Sequence, residues 1–490
     1  MTQVDISSSL DTPTESRFAV ERHGFDFIPE SQRYMTLREL FVFWVGTNAY
    51  IFFLVLGATA VLLGLSLWQA VVAVIVGNLA YMLVAYGSIG GPRAGLPTMT
   101  FSRAAFGVLG NRVNSVLSWI VLVGFEVLNT LLGVFALVAL FGVLGWTDSG
   151  AAGQIIAVVV VLGLSILVAV VGHGLMVYVQ RIFAISLTIV LVGVFIATVG
   201  GVNWTATSAT SLGLGPTFGL LLVAIATVAA GPISYLVNCS DWSRYLPSRT
   251  SSKSIFWTVL GGSAIICVFL GVLGAMLATR SNMSDPVAGV KPLIPLWLFV
   301  PYAIAVAGGS IANNVPTFYA SGLTVQSAGI PLRRWKATML DSVVATTIIM
   351  YVLFISQSFT NFLNDLLSLV NVWMGPFGAI WIVDGLLRRW RYDAVDIHSR
   401  AHTGKYYYWH GFNLKGLISL VAGMVVGLLT INSPVVHGWI SQRIWNGDLG
   451  WIAPWVVSGI LYFVLAAGDV REQAGATEAV RQPAADAMRG

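Results

Sequence analysis

Twelve apolar runs of roughly 20 residues, divided by short polar connections, pattern the chain from Leu40 to Ala467. At 1.5 Å of rise per residue such a run crosses a hydrocarbon layer about 30 Å thick. The runs read as membrane-spanning helices at about Leu40–Leu63, Trp68–Tyr86, Val113–Val143, Gln154–Val171, Ile182–Val199 and Phe218–Val237. The second six fall at about Ser254–Leu277, Leu293–Val315, Leu340–Ile355, Phe362–Leu387, Leu414–Ile431 and Trp451–Ala467. The pattern predicts an all-α polytopic membrane protein in which 40–467 is one membrane domain. The flanks are polar: a tail over 1–39, disordered at SSSLDTPTES and then docked, and a disordered Ala/Gln/Glu-rich tail over 468–490.

Two runs carry interruptions. The sixth contains Gly231 and Pro232, followed at once by Ser234, Tyr235 and Asn238. Proline gives no N–H and crowds the preceding turn, and carbonyls freed in hydrocarbon are costly unless protein or a watery cavity meets them. A plain proline kink is the simpler reading; the polar side chains beside the break favour a solute site. The first run carries Gly46, Thr47 and Asn48 near its centre. Interrupted runs five spans apart suggest two inverted five-helix repeats, about 40–199 and 218–387, with the site between them and two extra helices at about 414–467.

Composition agrees with the pattern. Charged residues make up 10% of the chain, where a soluble globule has about 25%. Sixteen Lys and Arg lie in the connections on the side that holds both tails, against three (Arg280, Lys291, Arg443) on the other. The positive-inside rule then makes both termini cytoplasmic in a multi-pass protein of the cell membrane. The net charge of +5 is spread over loops, which gives no nucleic-acid patch. The tail has no short apolar stretch with a cleavage site, so the first span is expected to direct insertion. Two cysteines, Cys239 and Cys267, offer neither a disulfide framework nor a metal motif.

Candidate chemistry is sparse. Glu126 is the one carboxylate placed deep in a run, in VLVGFEVLNTLLG. A charge there costs about 2.5–3.5 kcal/mol on insertion scales, so desolvation favours the protonated form and the group suits proton loading and release. Structural glue between helices is its bland reading. Asn129 stands three residues on and is expected on the same helix face. The eighth run holds Asn313 and Asn314, whose carboxamides donate and accept and so suit a heterocyclic amide; a helix cap is the alternative. Phe125 and Tyr235 are candidates for stacking on a flat ring, or for core packing. Asp241 and Arg244, at i and i+3 after the sixth run, are expected to pair as a cytoplasmic gate or to form a solvated helix end. Phosphate-loop, metalloprotease and nucleophile-elbow motifs are missing from the sequence, so neither an enzyme nor a cofactor or metal site is expected.

Four stretches in order, GPRAGLPTMTFSRAAFG, SDWSRYLP, NNVPTFYASGLTVQ and YYYWHGFNLKG, resemble the nucleobase:cation symporter-1 family, closest to its purine–cytosine permease branch. The resemblance implies a LeuT-type fold of 5+5 inverted repeats plus two helices, alternating access, and uptake of a purine, cytosine or related heterocycle. It places Phe125 where the family usually has a stacking Trp, and Asn129 at the carboxamide one turn later. It puts the sixth-helix stacking position near Gly231–Pro232, with Tyr235 as substitute, and the ring-binding Asn at Asn314, or Asn313 one register away. Asn48 occupies the first-helix break. Sodium-coupled relatives carry hydroxyls just before the eighth-helix Asn; here Gly308 and Gly309 stand with only Ser310 beside them. That shortage and Glu126 favour a proton as the coupled ion. The expectation is a proton symporter of a nucleobase-like solute. Its rivals are the same fold carrying a vitamin precursor, allantoin or hydantoin, with cation coupling open, and a solute-sensing receptor without flux.

Overall fold

A computed structural model describes residues 26–487 apart from 172, 207–212, 357–361, 364–365, 368–369, 394–395, 398, 400 and 434–435. The SSSLDTPTES stretch lies outside the described residues. Among the described residues, ten helices are long and apolar enough to cross a membrane, and a pair bent by 51°, Leu37–Asn48 and Ile51–Leu62, makes an eleventh span. Leu414–Thr430 is a shorter apolar helix. Spans two to five are Leu67–Ala94, Gly110–Val143, Gly150–Val171 and Gly174–Val199; six to eight are Leu214–Val237, Ser252–Ala278 and Leu296–Ser327. Nine, ten and twelve are Trp335–Ser356, Val370–Leu387 and Ala453–Gly475, with Leu414–Thr430 as the eleventh.

The packing repeats with a shift of five. The first span packs on the seventh as the second packs on the sixth. The third packs on the fourth as the eighth packs on the ninth, and the fourth crosses the eighth as the third crosses the ninth. The third and eighth, equivalent to each other, form the most extensive interface in the molecule. This is the symmetry of a 5+5 inverted repeat, and spans eleven and twelve stand outside it, packed on the tenth and on each other. In lipid the helices gain little from apolar burial, so close backbone approach has to hold them together. Gly57, Gly271 and Gly274 supply it: a Cβ on Gly57 would fall 1.8 Å from the Gly271 carbonyl oxygen, and one on Gly274 1.9 Å from that of Leu54.

Two expectations need correction. The helix of the sixth span runs straight through Gly231 and Pro232 to Ser234, and the disturbance comes later, as a 3₁₀ turn over Tyr235–Val237 and a non-helical Asn238. Ser234 Oγ donates to the Gly231 carbonyl at 2.6 Å, which holds the turn around the proline. The expected disordered C-terminal tail is instead a continuation of the last span, helical to Ala487. Its Ala, Gln and Glu residues are good helix formers. The tail helix is also tied down, since Arg388 Nη2 donates to Gln473 Oε1 at 2.9 Å.

Candidate solute site and its gates

The first span breaks where the sequence puts Thr47 and Asn48. Ala49 (φ −71°, ψ 64°) and the extended Tyr50 (φ −142°, ψ 141°) separate its two halves. The break frees backbone groups, and side chains meet them: Asn313 Nδ2 donates to the Thr47 carbonyl at 2.8 Å. From there a chain of polar groups crosses the centre of the bundle. Tyr50 OH donates to Asn129 Oδ1 at 2.7 Å, Asn129 Nδ2 to Asn313 Oδ1 at 2.7 Å, and Asn313 Nδ2 to Tyr235 OH at 2.8 Å. The first, third, eighth and sixth spans each contribute one member. Tyr50, Asn129 and Asn313 are buried and Tyr235 is half-buried.

Aromatic rings surround this chain. Phe125, one turn before Asn129, meets Phe52 edge-on with centroids 6.0 Å apart. Tyr235 lies between Trp44, 5.4 Å away and edge-on, and Tyr81, 6.4 Å away and stacked. The Trp44 Nε1–H is buried without a hydrogen bond. Flat apolar faces beside paired amides suit a planar ring with donor and acceptor edges.

Three expected site residues point elsewhere. Asn48 donates to the Trp44 carbonyl at 2.8 Å and accepts from Tyr81 OH at 2.6 Å, so it ties the first span to the second. Asn314 faces the third span, where its Nδ2 donates to Thr130 Oγ1 at 2.9 Å and to the Glu126 carbonyl at 3.4 Å. The Asn of the central chain is therefore Asn313. Glu126 and Asn129 have different neighbours. Three residues turn a helix by about 300°, which leaves the two side chains about 60° apart. Asn129 reaches the chain, while the Glu126 carboxyl lies against Asp341 of the ninth span and Ser321 of the eighth. Gly231 packs on the first span's outer half: a Cβ there would meet Phe53 at 2.9 Å.

At the end of the bundle that carries the N-terminal segment the structure is sealed. Asp241 and Arg244 are both buried, which removes the solvated-helix reading, and the hydrogen bond between them runs to backbone: Arg244 Nε donates to the Asp241 carbonyl at 3.2 Å. Asp241 Oδ1 accepts from the Thr98 backbone N–H at 2.9 Å. Arg244 donates to the Tyr319 hydroxyl at 3.1 Å and to the Asp26 carbonyl at 3.3 Å. Burial pushes the Asp241 carboxyl up to about 7, with the Thr98 N–H and the Arg244 charge pulling the other way. The segment beginning at Asp26 is strapped across this end: Arg33 donates to the Ile28 and Pro92 carbonyls, and the Met35 N–H to Tyr245. At the opposite end a cavity of about 430 Å³ opens between the first, sixth and tenth spans and the loop before the twelfth, lined among others by Thr59, Thr227, Asn371, His437 and Asp448.

The sequence profile described as "Permease for cytosine/purines, uracil, thiamine, allantoin" matches residues 27–453. The chain belongs to this permease family. It is 27% identical over 475 residues to YxlA of Bacillus subtilis, which bears a purine-cytosine permease name, covering 94% of this chain and 98% of the relative. It is 24% identical over 488 residues to the purine-cytosine permease fcyB of Emericella nidulans, covering 92% and 89%. The structure of Mhp1, a nucleobase-cation-symport-1 family transporter in a closed conformation with bromovinylhydantoin bound, superposes with a TM-score of 0.74 at 16% identity. That match spans 93% of this chain and 100% of Mhp1 and concerns the fold. The protein is thus a membrane transporter of the nucleobase:cation symporter-1 family and not an enzyme. In this permease the sequence reading missed Trp44, Tyr50 and Tyr81, which read as ordinary span aromatics, and Asp341, placed one residue inside a span end where a carboxylate looks solvated.

Proposed function

We propose that the protein imports a nucleobase or a related small heterocycle together with a proton, by alternating access. The observation that carries the reading is the chain Tyr50–Asn129–Asn313–Tyr235 at the break of the first span. A planar ring with an amide edge enters between Asn129 and Asn313, accepting from Asn129 Nδ2 on its carbonyl and donating its N–H to Asn313 Oδ1, while stacking among Phe125, Tyr50 and Tyr235. The exchange leaves no buried donor or acceptor unpaired, which is what makes binding selective for a ring with that edge. Both termini are assigned to the cytoplasm from the Lys and Arg excess, which makes the sealed end internal and the 430 Å³ cavity the external approach.

A proton is favoured over sodium by the same residues. The carbonyl freed at Thr47 is already engaged by Asn313, and of Gly308, Gly309 and Ser310 on the facing turn of the eighth span only Ser310 brings a hydroxyl. Glu126 is the proton carrier in this reading. A second solute class, allantoin, a hydantoin or a vitamin precursor, is favoured by one observation: the ring at position 125 is Phe, smaller than the stacking Trp usual in the family.

Uptake into proteoliposomes tests the function. Accumulation of adenine, hypoxanthine, guanine or cytosine against its gradient, driven by an inward pH gradient and unaffected by sodium, is the expected result. A companion thermal-shift screen reads binding alone, since a ligand at 100 times its Kd adds roughly 2.7 kcal/mol to the folded state. If none of the four bases shifts melting, the solute belongs to the second class; binding without any flux would make the protein a receptor.

A further inference from the structure

The carboxyl group of Glu126 has a partner that the solute site does not explain. Asp341, on the ninth span, lies against it, and so does the Ser321 hydroxyl of the eighth. All three side chains are 0% exposed. Both Glu126 oxygens, Asp341 Oδ2 and Ser321 Oγ are buried without a well-formed hydrogen bond. The one strong contact in the group is Trp119 Nε1–H donating to Asp341 Oδ1 at 2.8 Å.

Among the described residues neither carboxyl belongs to an ion pair. Arg112, at the start of the third span, packs at Gly329, and Lys336 lies over the Trp335 ring. The fourth span, which packs on the third, eighth and ninth, has no titratable residue between Gly150 and Val171. Tyr319 of the eighth span turns to Arg244. Two fully buried carboxyl groups side by side repel each other strongly when both are ionised, and a proton held by one of them relieves that repulsion. One proton held between them converts two unpaired acceptors into a donor and an acceptor, and leaves Ser321 Oγ free to donate to the remaining charge.

We infer that Glu126 and Asp341 share one proton and that this pair, at the junction of the third, eighth and ninth spans, is the permease's coupling site, separate from the solute's hydrogen-bonding chain. The inference rests on the proton-symport reading above and adds the second carboxyl and its location. Connection to the solute runs through backbone and amides. Thr130 Oγ1 donates to the Glu126 carbonyl at 2.7 Å, and Asn314 bonds both, one residue from Asn313. A shift of the eighth span against the third as the solute seats therefore moves Ser321 relative to the pair and changes its hold on the proton. The proton passes between carboxyl oxygens and solvent; no other bond is made or broken.

The test is the Asp341→Asn permease in proteoliposomes, beside Glu126→Gln and wild type, with two readouts: accumulation driven by a pH gradient, and the infrared C=O stretch of protonated carboxyl groups. Expected are loss of pH-driven accumulation in both variants, retained solute-induced thermal shift, and a protonated-carboxyl band that disappears in Glu126→Gln and moves in Asp341→Asn. If Asp341→Asn accumulates solute like wild type while Glu126→Gln does not, the pair is overturned and the single-carboxyl reading stands. If wild type ignores the pH gradient and follows a sodium gradient, proton symport and the shared proton fall together. Should Asp341→Asn fail to fold, Ser321→Ala and Trp119→Phe serve: each is expected to shift the pH midpoint of uptake, and unchanged midpoints in both overturn the pair.

Discussion

Two faces of the third span, less than one turn apart, are built on opposite principles. On one, Asn129 sits in a chain where hydroxyls, amides and a freed carbonyl meet one another within 2.7–2.8 Å. On the other, Glu126, Asp341 and Ser321 crowd together with oxygens unmet. The difference separates two kinds of ligand. A solute with several edges is held by groups that already have hydrogen bonds to exchange, so binding costs little desolvation. A proton needs acceptors that are poorly served without it. In the proposed mechanism, side-chain direction on one helix keeps the two sites apart while a shared backbone couples them.

The sharpest way to break the comparison is to remove the solute face. Asn313→Ala strips three hydrogen bonds from the centre and is expected to weaken solute binding by roughly ten- to a hundredfold, at about 1–3 kcal/mol for the one solute group left unpaired; calorimetric titration measures it. The neighbouring Asn314→Ala sharpens it. That side chain braces Thr130 and the Glu126 carbonyl, so solute affinity should stay near wild type while the protein loses about 1–2 kcal/mol of stability, read as a lowered Tm. An affinity loss equal to that of Asn313→Ala would return Asn314 to the solute face.

The smallest effect belongs to Asp241. Asp241 holds its proton up to about pH 7 in the folded protein but only to about 3.8 when exposed. Folding then binds a proton more tightly than the unfolded chain does, so this group's contribution is full below about pH 4 and is lost as pH rises through 7. Asp241→Asn is expected to flatten that part of the Tm–pH curve and to raise Tm modestly at pH 8. A slope the same as wild type would assign the pH dependence elsewhere.

Much of the fold was legible because lipid imposes simple rules. Length and apolarity located the spans, and Thr47 and Asn48 flagged the first break because polar groups at mid-membrane need a reason. The sixth span was harder. Pro232 is visible in the sequence, but Ser234 keeps its turn closed, and the chain departs from helix only at Tyr235–Asn238, a difference set by tertiary bonds. Glu126 was conspicuous as a lone acid in an apolar run; its partner was not, because Asp341 follows a basic connection and its burial depends on the third span. The Asn313–Asn314 register stayed open for a similar reason: adjacent residues point about 100° apart, and only the neighbouring helices decide which one faces the centre.

The central claim is that solute and proton occupy different faces of the third span. Proton uptake on solute addition, followed with a pH indicator on purified protein at a pH where the wild type binds both, tests it most directly when combined with the affinity of the Glu126→Gln/Asp341→Asn double variant. The account predicts that the double variant binds solute as tightly as wild type and takes up no proton. Loss of solute binding in that variant, or undiminished proton uptake, would contradict it.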